Sequence, residues 1–408
     1  MEICRPVIHA VQNILLSAYL NLYQRLYCPR SVVSDEPAKL APDANVLVLC
    51  MNDIGDFVIA CRFVRRLRSF LPNGRITLVT KPVVSRLSQM LPEADECFSI
   101  ESVPISRRFF NLDIFQRSQK LGRILRKRTF DNAYVLRCDL GGLLPCLIAV
   151  HARAKNRVGF SYSSCSCHSP TEKVREVSLT HCIESKTAER ESLRFERLLP
   201  GPVADTVDPS GIFTISDELR SDVDQLLPSD IGHRHLIGIA LGANCEKRKW
   251  PATSFANAIN QLELDNCVVV LIGSPTDQST ADQFKSEYKG DVIDLVGKTK
   301  LDATIAVLAR LDVLVANDSG PAHLAEAAAT DVLVVSCHPA DGDDLHSNSP
   351  ERFGPVRPGS KLVRPQHSTE PCVNACTASS SHCILSVSEQ EVCDTLSQIL
   401  RQTDCLSS

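Results

Sequence analysis

The sequence carries no excess of positive charge. Its 408 residues include 44 lysines and arginines against 48 aspartates and glutamates, which gives a formal net charge of −4. Proteins that bind nucleic acid over a broad surface need a basic footprint, so nucleic acid is not expected as a partner. A small basic pocket for a phosphate is compatible with this balance, because lysine and arginine cluster locally, for example at 247–249.

The sequence does not predict an export signal either. Polar residues interrupt the apolar stretch near the N-terminus, and no small-residue cleavage site follows it. Disulfide frameworks are typical of exported proteins. The 18 cysteines, most of which stand singly in apolar runs, are therefore interpreted as small buried hydrophobes. We expect a cytoplasmic protein, either free or peripheral at the inner face of the cytoplasmic membrane.

The first segment is too polar to span a bilayer. Apolar residues recur at helical spacing between Val7 and Tyr27 and predict an amphipathic helix. Its aromatic and basic end suits a peripheral membrane contact, while packing on the protein's own surface is the alternative. With the polar linker that follows, this helix makes up the first predicted region, residues 1–44.

From residue 45 the sequence alternates between short apolar runs and helical patterns. The runs, such as 46–50, have the length of strands buried on both faces of a parallel sheet. Two such series predict α/β architecture: two doubly wound, Rossmann-like domains, 45–230 and 231–385, facing each other across a ligand-binding cleft. The polar segment 161–190 is expected to form a long surface loop. A C-terminal helix and tail, residues 386–408, follow.

One predicted strand-to-helix turn has the features of an anion site. A helix is predicted to begin at Pro321, where proline is well tolerated, and the N–H groups and dipole of a helix start attract anions. Ser319 and Gly320 let a phosphate approach closely. His323 can donate a hydrogen bond, and Asp318 can orient the turn. The alternative is an ordinary helix capped by Asp318 or Ser319.

A second turn places three cations after a predicted strand. Lys247, Arg248 and Lys249 follow a glycine turn that contains Asn244, and they precede Trp250, the only tryptophan. A diphosphate leaving group needs positive charge as its bond to a sugar breaks. The alternative is a solvated basic turn with the tryptophan in the core.

A third turn, Gly55-Asp56, follows the first predicted strand. Gly55 permits a tight turn or the close approach of a ligand. Asp56 begins a predicted helix, where the dipole favours a carboxylate, so a plain cap is one interpretation. The other is a general base that faces the cleft.

A cysteine-rich stretch lies near the C-terminus, with Cys372, Cys376, His382 and Cys383. Thiolates and imidazole suit zinc. The spacing is not that of a standard zinc finger, so we expect a structural role and no metal.

Taken together and in order, these motifs resemble glycosyltransferase family 9, the ADP-heptose:lipopolysaccharide heptosyltransferases. The resemblance covers about residues 45–400. The Asp-Ser-Gly-x-x-His motif from Asp318 to His323 is its most specific part. The family also has Gly-Asp after its first strand, a basic residue followed by Trp-Pro, and a cysteine-rich stretch before a final helix.

The resemblance implies a GT-B fold, in which residues 45–230 bind an acceptor and residues 231–385 bind a donor. It implies an inverting, metal-independent glycosyltransferase with Asp56 as its general base. The enzyme would move a heptose or similar sugar from a nucleoside-diphosphate donor, ADP-linked in the family, to a lipopolysaccharide-type glycan or glycolipid. No cofactor beyond the donor is expected.

The implied donor site draws on all three turns. The family's lysine two residues before the tryptophan is Arg248 here, with a lysine on either side, so which cation faces the diphosphate stays open. An epimerase of nucleotide sugars and a non-catalytic nucleotide-sugar-binding protein remain alternatives on the same architecture. The implied donor-binding residues are Gly55, Asn244, Lys247, Arg248, Lys249, Asp318, Ser319, Gly320 and His323.

Overall fold

The computed structural model describes residues 18, 34–101, 112–137, 142–164, 176–185, 189–203, 209–227, 234–262, 267–346, 348–370, 372 and 378–407. The helix expected between Val7 and Tyr27 lies outside this set, apart from Ala18, and so does Cys376. Within the described part of the chain, no helix is both long and apolar enough to cross a membrane.

The chain divides into two compact units. The first comprises Met1–Asp53, Ala60–Thr187 and Ser192–Asp205, and the second comprises Ile54–Ile59, Ala188–Glu191 and Thr206–Ser408. The beginning of the helix Ile54–Phe70 therefore belongs to the second unit, while the rest of that helix belongs to the first. Gly55 and Asp56 lie in this beginning.

The first unit contains a six-stranded parallel sheet. Five of the six residues of β1 are buried, as its apolar run 46–50 predicts. All four residues of β4 are buried too, including the polar Asn132. The strands are β1 (Asn45–Cys50), β2 (Arg75–Thr80), β3 (Glu96–Ser99), β4 (Asn132–Val135), β5 (Asn156–Phe160) and β6 (His181–Ile183), in the spatial order β3-β2-β1-β4-β5-β6.

The helices from Ile54 to Glu196 are α1 (Ile54–Phe70), α2 (Ser85–Gln89), α3 (Leu112–Leu125), α4 (Leu143–His151) and α5 (Glu191–Glu196). Every residue of α4 is buried. It packs against α3, where Gly122 permits the close approach, because a side chain there would collide with the backbone of His151.

The expectation of one long surface loop at 161–190 is wrong in part. His181–Ile183 forms the edge strand β6, which pairs with β5. The residues just before it, Leu179 and Thr180, are buried. An edge strand of three residues that begins with histidine is too short to show the apolar run by which the other strands are predicted.

The second unit contains another six-stranded parallel sheet. Its strands are β7 (His235–Ala240), β8 (Cys267–Leu271), β9 (Val292–Asp294), β10 (Val313–Asn317), β11 (Asp331–Val335) and β12 (Lys361–Val363), in the order β12-β11-β10-β7-β8-β9. Its helices are α6 (Asp217–Leu226), α7 (Ala252–Asn260), α8 (Gln278–Glu287), α9 (Leu301–Leu308), α10 (Gly320–Ala327), α11 (Pro350–Phe353) and α12 (Glu389–Ser407). The core includes Trp250, whose ring meets Phe255 edge-on at 4.9 Å between centroids.

Both sheets have the strand order of a Rossmann-like, doubly wound domain. In each, the first strand of the series lies in the middle beside the fourth, and the order reverses between them. The predicted α/β class with two such domains is confirmed. Ligands of doubly wound sheets bind outside the carboxyl ends of the strands, where the order reverses, which in the second unit is between β7 and β10.

Candidate donor-binding site

Two loops of the second unit start side by side where its strand order reverses. β7 and β10 are neighbours, with Ala240 paired to Ala316. The loop after β7, residues 241–251, carries the predicted cations, and the turn after β10 carries the predicted phosphate-binding residues. Because parallel strands end at the same edge of a sheet, the two predicted motifs converge.

The side chain of Asn317 ties these loops together. It is fully buried at the end of β10. Its Nδ2 atom donates to the carbonyl of Leu241 at 2.7 Å, and its Oδ1 atom accepts from the N–H of Trp250 at 2.8 Å. Asn317 thus holds both ends of the β7 loop, a role that the sequence analysis missed. A polar residue ending an otherwise apolar strand was the available signal.

Arg248 is the cation that reaches the second loop. Its Nη1 atom donates to the Asp318 carbonyl at 3.4 Å and lies 4.0 Å from the Asp318 carboxylate. Its Nε atom donates to Asn348 Oδ1 at 3.1 Å, and its Nη2 atom donates to the same oxygen. The guanidinium is therefore held in one orientation between the turn after β10 and Asn348. Nothing in the sequence pointed to Asn348, which lies 100 positions from Arg248.

The other predicted residues of the β7 loop lie around this arginine. Lys249 forms an ion pair with Glu246 at 2.5 Å. Lys247 is half-buried, and Asn244 is exposed. Burial lowers the pKa of the nearby His346, and the positive charge of Lys247 and Arg248 adds to this effect. His346 is accordingly expected to be neutral beside the cations at pH 7.

Asp318 is a carboxylate with little access to water. Its side chain is 14% exposed. Burial raises the pKa of its carboxyl, and the neighbouring Arg248 opposes this shift. Arg248 and Asp318 therefore depend on each other: the cation supports the ionised carboxylate, and the carboxylate helps to orient the cation.

The start of α10 favours an anion site over an ordinary cap. Ser319 occupies the N-cap position with an extended backbone, at φ −156° and ψ 172°. Among the described residues, its side chain caps no N–H group of the helix and donates instead to the Asn317 carbonyl at 3.1 Å. Pro321 lies in the first turn of α10, which begins one residue earlier than predicted, at Gly320. Pro321 has no N–H, and that of Ala322 donates to the Ser319 carbonyl at 3.1 Å. The N–H of Gly320, at the very start of the helix, can meet an anion.

The starts of α1 and α10 approach each other closely within the second unit. A Cβ atom at Gly55 would lie 2.8 Å from Cδ2 of His323, and one at Gly320 would lie 3.1 Å from Cβ of Ile54. A side chain at position 55 would therefore displace the ring of His323. Asp56, in the first turn of α1, is half-buried and follows this contact directly.

The Rossmann-like sheets and a helix start beside a fixed arginine define a nucleotide-sugar-dependent glycosyltransferase of the GT-B class. A family model, glycosyltransferase family 9 (heptosyltransferase), matches residues 118–379. The chain therefore belongs to glycosyltransferase family 9, and the predicted family and enzyme class are confirmed.

Three known proteins illustrate the similarity. The chain is 25% identical over 292 residues to lipopolysaccharide heptosyltransferase 2 of Salmonella typhimurium. The aligned region covers 69% of this chain and 80% of that protein. The structure of ADP-heptose lps heptosyltransferase II of E. coli matches with a TM-score of 0.68 and 21% identity, covering 88% of this chain and 99% of that one. A family 9 glycosyl transferase of Veillonella parvula matches with a TM-score of 0.72 and 18% identity, covering 90% and 100%. The solved structures establish the shared fold.

Proposed function

We propose that this protein transfers a heptose from an ADP-linked donor to a lipopolysaccharide-type glycan or glycolipid. The transfer inverts the anomeric carbon and uses no metal in the chemical step. The proposal takes the sugar from the relatives, of which one is a lipopolysaccharide heptosyltransferase and another is named for ADP-heptose. The observation that carries it is the helix start of α10 beside the fixed guanidinium of Arg248.

In this proposal the diphosphate of the donor lies at the start of α10. The N–H of Gly320 and the side chains of Ser319 and His323 bind its oxygens. Arg248 supplies positive charge as the bond between sugar and phosphate breaks, so its interaction strengthens in the transition state. Lys247 and Lys249 add positive charge at the rim of the site, and Asn244 offers a neutral amide as a hydrogen-bond donor.

The acceptor is activated by Asp56. Its carboxylate removes the proton from an acceptor hydroxyl, whose oxygen forms a bond to the anomeric carbon as the nucleoside diphosphate leaves. The contact between Gly55 and His323 supports this role, because it brings the start of α1 to the start of α10. Residues 45–230 would serve the acceptor and residues 231–385 the donor.

The decisive experiment compares donor binding with turnover in Asp56→Asn. We expect turnover, measured as ADP released in the presence of donor and acceptor, to fall by about 10²–10⁴-fold, the usual contribution of a general base. Affinity for ADP, measured by calorimetry, should be retained. The matched control is Asp53→Asn, a nearby carboxylate at the N-cap of α1 whose side chain caps no N–H group of the described residues and forms an exposed ion pair with Lys81. Loss of such an ion pair costs little.

Three other outcomes of these assays would contradict the proposed base or the proposed activity. Undiminished turnover in Asp56→Asn would reject the assigned base. Conversion of the donor without any acceptor would identify an epimerase. A wild-type protein that binds donor and never releases ADP with any glycan acceptor would be a binding protein only.

The segment between Val7 and Tyr27 is proposed as a peripheral contact of a cytoplasmic enzyme with the membrane. Its helical apolar spacing and its aromatic, basic end support this. Flotation with anionic liposomes should carry the full chain and leave behind a chain that lacks residues 1–33. Equal flotation of both would remove this part of the proposal.

A further inference from the structure

Three side chains with affinity for metal ions converge near the C-terminus of the second unit. Cys372, His382 and Cys383 each offer one ligand atom, and these atoms all lie within 4.8 Å of one another. Sγ of Cys383 and Nδ1 of His382 are 3.4 Å apart. Both cysteines are thiols. Cys383 is buried and the other two residues are half-buried, so the cluster is accessible from one side.

The local fold holds these residues in place. The backbone N–H of Cys372 donates to the carbonyl of Thr369 at 2.7 Å. His382 and Cys383 open a turn that is closed by a bond from the N–H of Leu385 to the His382 carbonyl at 2.9 Å, and Ile384 anchors the turn in the core. An ion held here would join two segments of the chain that are ten positions apart.

This turn also supports the donor-binding loop. The hydroxyl of Ser381, next to His382, donates to the carbonyl of Glu246 at 3.0 Å and to that of Lys249 at 2.7 Å. A few residues later the carbonyl of Val387 accepts from Nε1 of Trp250 at 3.3 Å. The segment 381–387 therefore braces the loop that carries Arg248.

We propose that Cys372, His382 and Cys383 bind a thiophilic divalent metal ion, with Zn²⁺ as the expected occupant, and that this ion fixes the loop of Arg248 through Ser381. Thiolates and imidazole are the ligands that zinc prefers. Zinc lies about 2.0–2.3 Å from such ligands, so the three atoms need only a small inward movement to share one ion. Among the described residues there is no fourth protein ligand in this cluster, so water or another ligand would complete the coordination.

Binding would be a ligand exchange without redox chemistry. Each thiol gives up its proton and binds the ion as a thiolate, and neutral imidazole binds through a ring nitrogen. The ion lies outside the proposed chemical step. This inference goes beyond the proposed glycosyl transfer, since metal content is measured without donor or acceptor.

The test measures the metal content of the full chain. The protein is freed of any affinity tag, kept reduced, incubated with Zn²⁺ and then desalted. Mass spectrometry of the metal should find about one equivalent per chain, as for a single structural site. Cys372→Ser, His382→Gln and Cys383→Ser should each bind the ion more weakly by about tenfold or more. Cys393→Ser, a buried cysteine of α12, is the matched control and should keep the metal.

The emission of Trp250 shows whether each variant keeps the second unit folded. If the variants unfold, the absorption spectrum of the wild-type protein loaded with Co²⁺ tests the site instead. Thiolate ligands give a charge-transfer band, and tetrahedral cobalt gives strong visible absorption. Iron found in place of zinc supports the site with another occupant. A wild-type protein that binds neither Zn²⁺ nor Co²⁺, or ligand variants that keep the metal as the control does, would overturn the proposal.

A second measurement tests the effect on the loop. Affinity for ADP is compared by calorimetry between metal-loaded and metal-depleted wild-type protein. We expect depletion to weaken binding by about tenfold, within the usual range for coupling between two sites. Equal affinity would refute the link to the loop of Arg248. If the proposed glycosyl transfer were wrong, the metal content of the protein would still be as expected. A failure of the transfer proposal can therefore be distinguished from a failure of the metal proposal.

Discussion

Replacing Asn317 with alanine removes the side chain that ties the β7 loop to the end of β10. In the wild-type protein its amide donates to the carbonyl of Leu241 and accepts from the N–H of Trp250. Asn317, Leu241 and Trp250 are 0%, 3% and 2% exposed, so water has little access to the groups that the truncation leaves behind. The Leu241 carbonyl and the Trp250 N–H would each lose this hydrogen-bond partner while remaining buried.

The size of the effect follows from these two groups. An unsatisfied buried donor or acceptor costs about 1–3 kcal/mol, so with two such groups the variant should lose about 2–6 kcal/mol of the unfolding free energy of the second unit. The matched control is Asn257→Ala, the same change at an exposed site on α7 in the same unit, where the lost hydrogen bond to Glu389 is open to water. That variant should stay within about 0.5 kcal/mol of the wild type.

Urea unfolding followed by tryptophan emission measures this difference directly. Trp250 is the only tryptophan of the chain and is buried in the second unit. Its signal therefore reports that unit even when the two units unfold separately. A difference below about 1 kcal/mol between Asn317→Ala and Asn257→Ala would show that the two hydrogen bonds contribute little, contrary to the usual cost of losing them.

Much of the fold follows from local sequence patterns. Apolar runs of strand length predicted the central strands of both sheets, because burial on both faces requires such runs. β6 and β12 were missed because each contributes only two apolar residues with polar residues on both sides. β9 is equally short, but its apolar pattern continues into Leu295 and Val296. α4 was missed for another reason: it is buried all round, so its sequence lacks the apolar period that marks an amphipathic helix.

The candidate site was predictable only in part. The two turns could be found because each follows a strand and precedes a helix. The side-chain contacts between them could not, since the bonds of Arg248 to Asn348 and of Asn317 to Trp250 span 100 and 67 positions. Pairings of this length depend on how the strands are ordered in space, which the sequence does not show locally.

Two further predictions concern a close contact and a buried histidine. Gly55→Ala should push the imidazole of His323 aside, because a Cβ there would lie 2.8 Å from its ring, and turnover should fall while urea unfolding changes little. On a His323→Ala background the same change should have little further effect, and an additive loss in this double-mutant cycle would refute the mechanism. His151 of the first unit is 1% exposed, and burial lowers its pKa to about 4. In the unfolded chain this imidazole binds a proton near pH 6.5. Its contribution to the free energy of unfolding is therefore complete above that pH and is lost as the pH falls towards 4. The expected loss is about 2 kcal/mol between pH 7 and pH 5. Urea unfolding followed by circular dichroism, with the transition of the second unit identified from the emission of Trp250, should show a smaller loss of stability of the first unit in acid for His151→Gln than for the wild type. Equal pH dependence of the two proteins would mean that His151 does not stay neutral in the folded state.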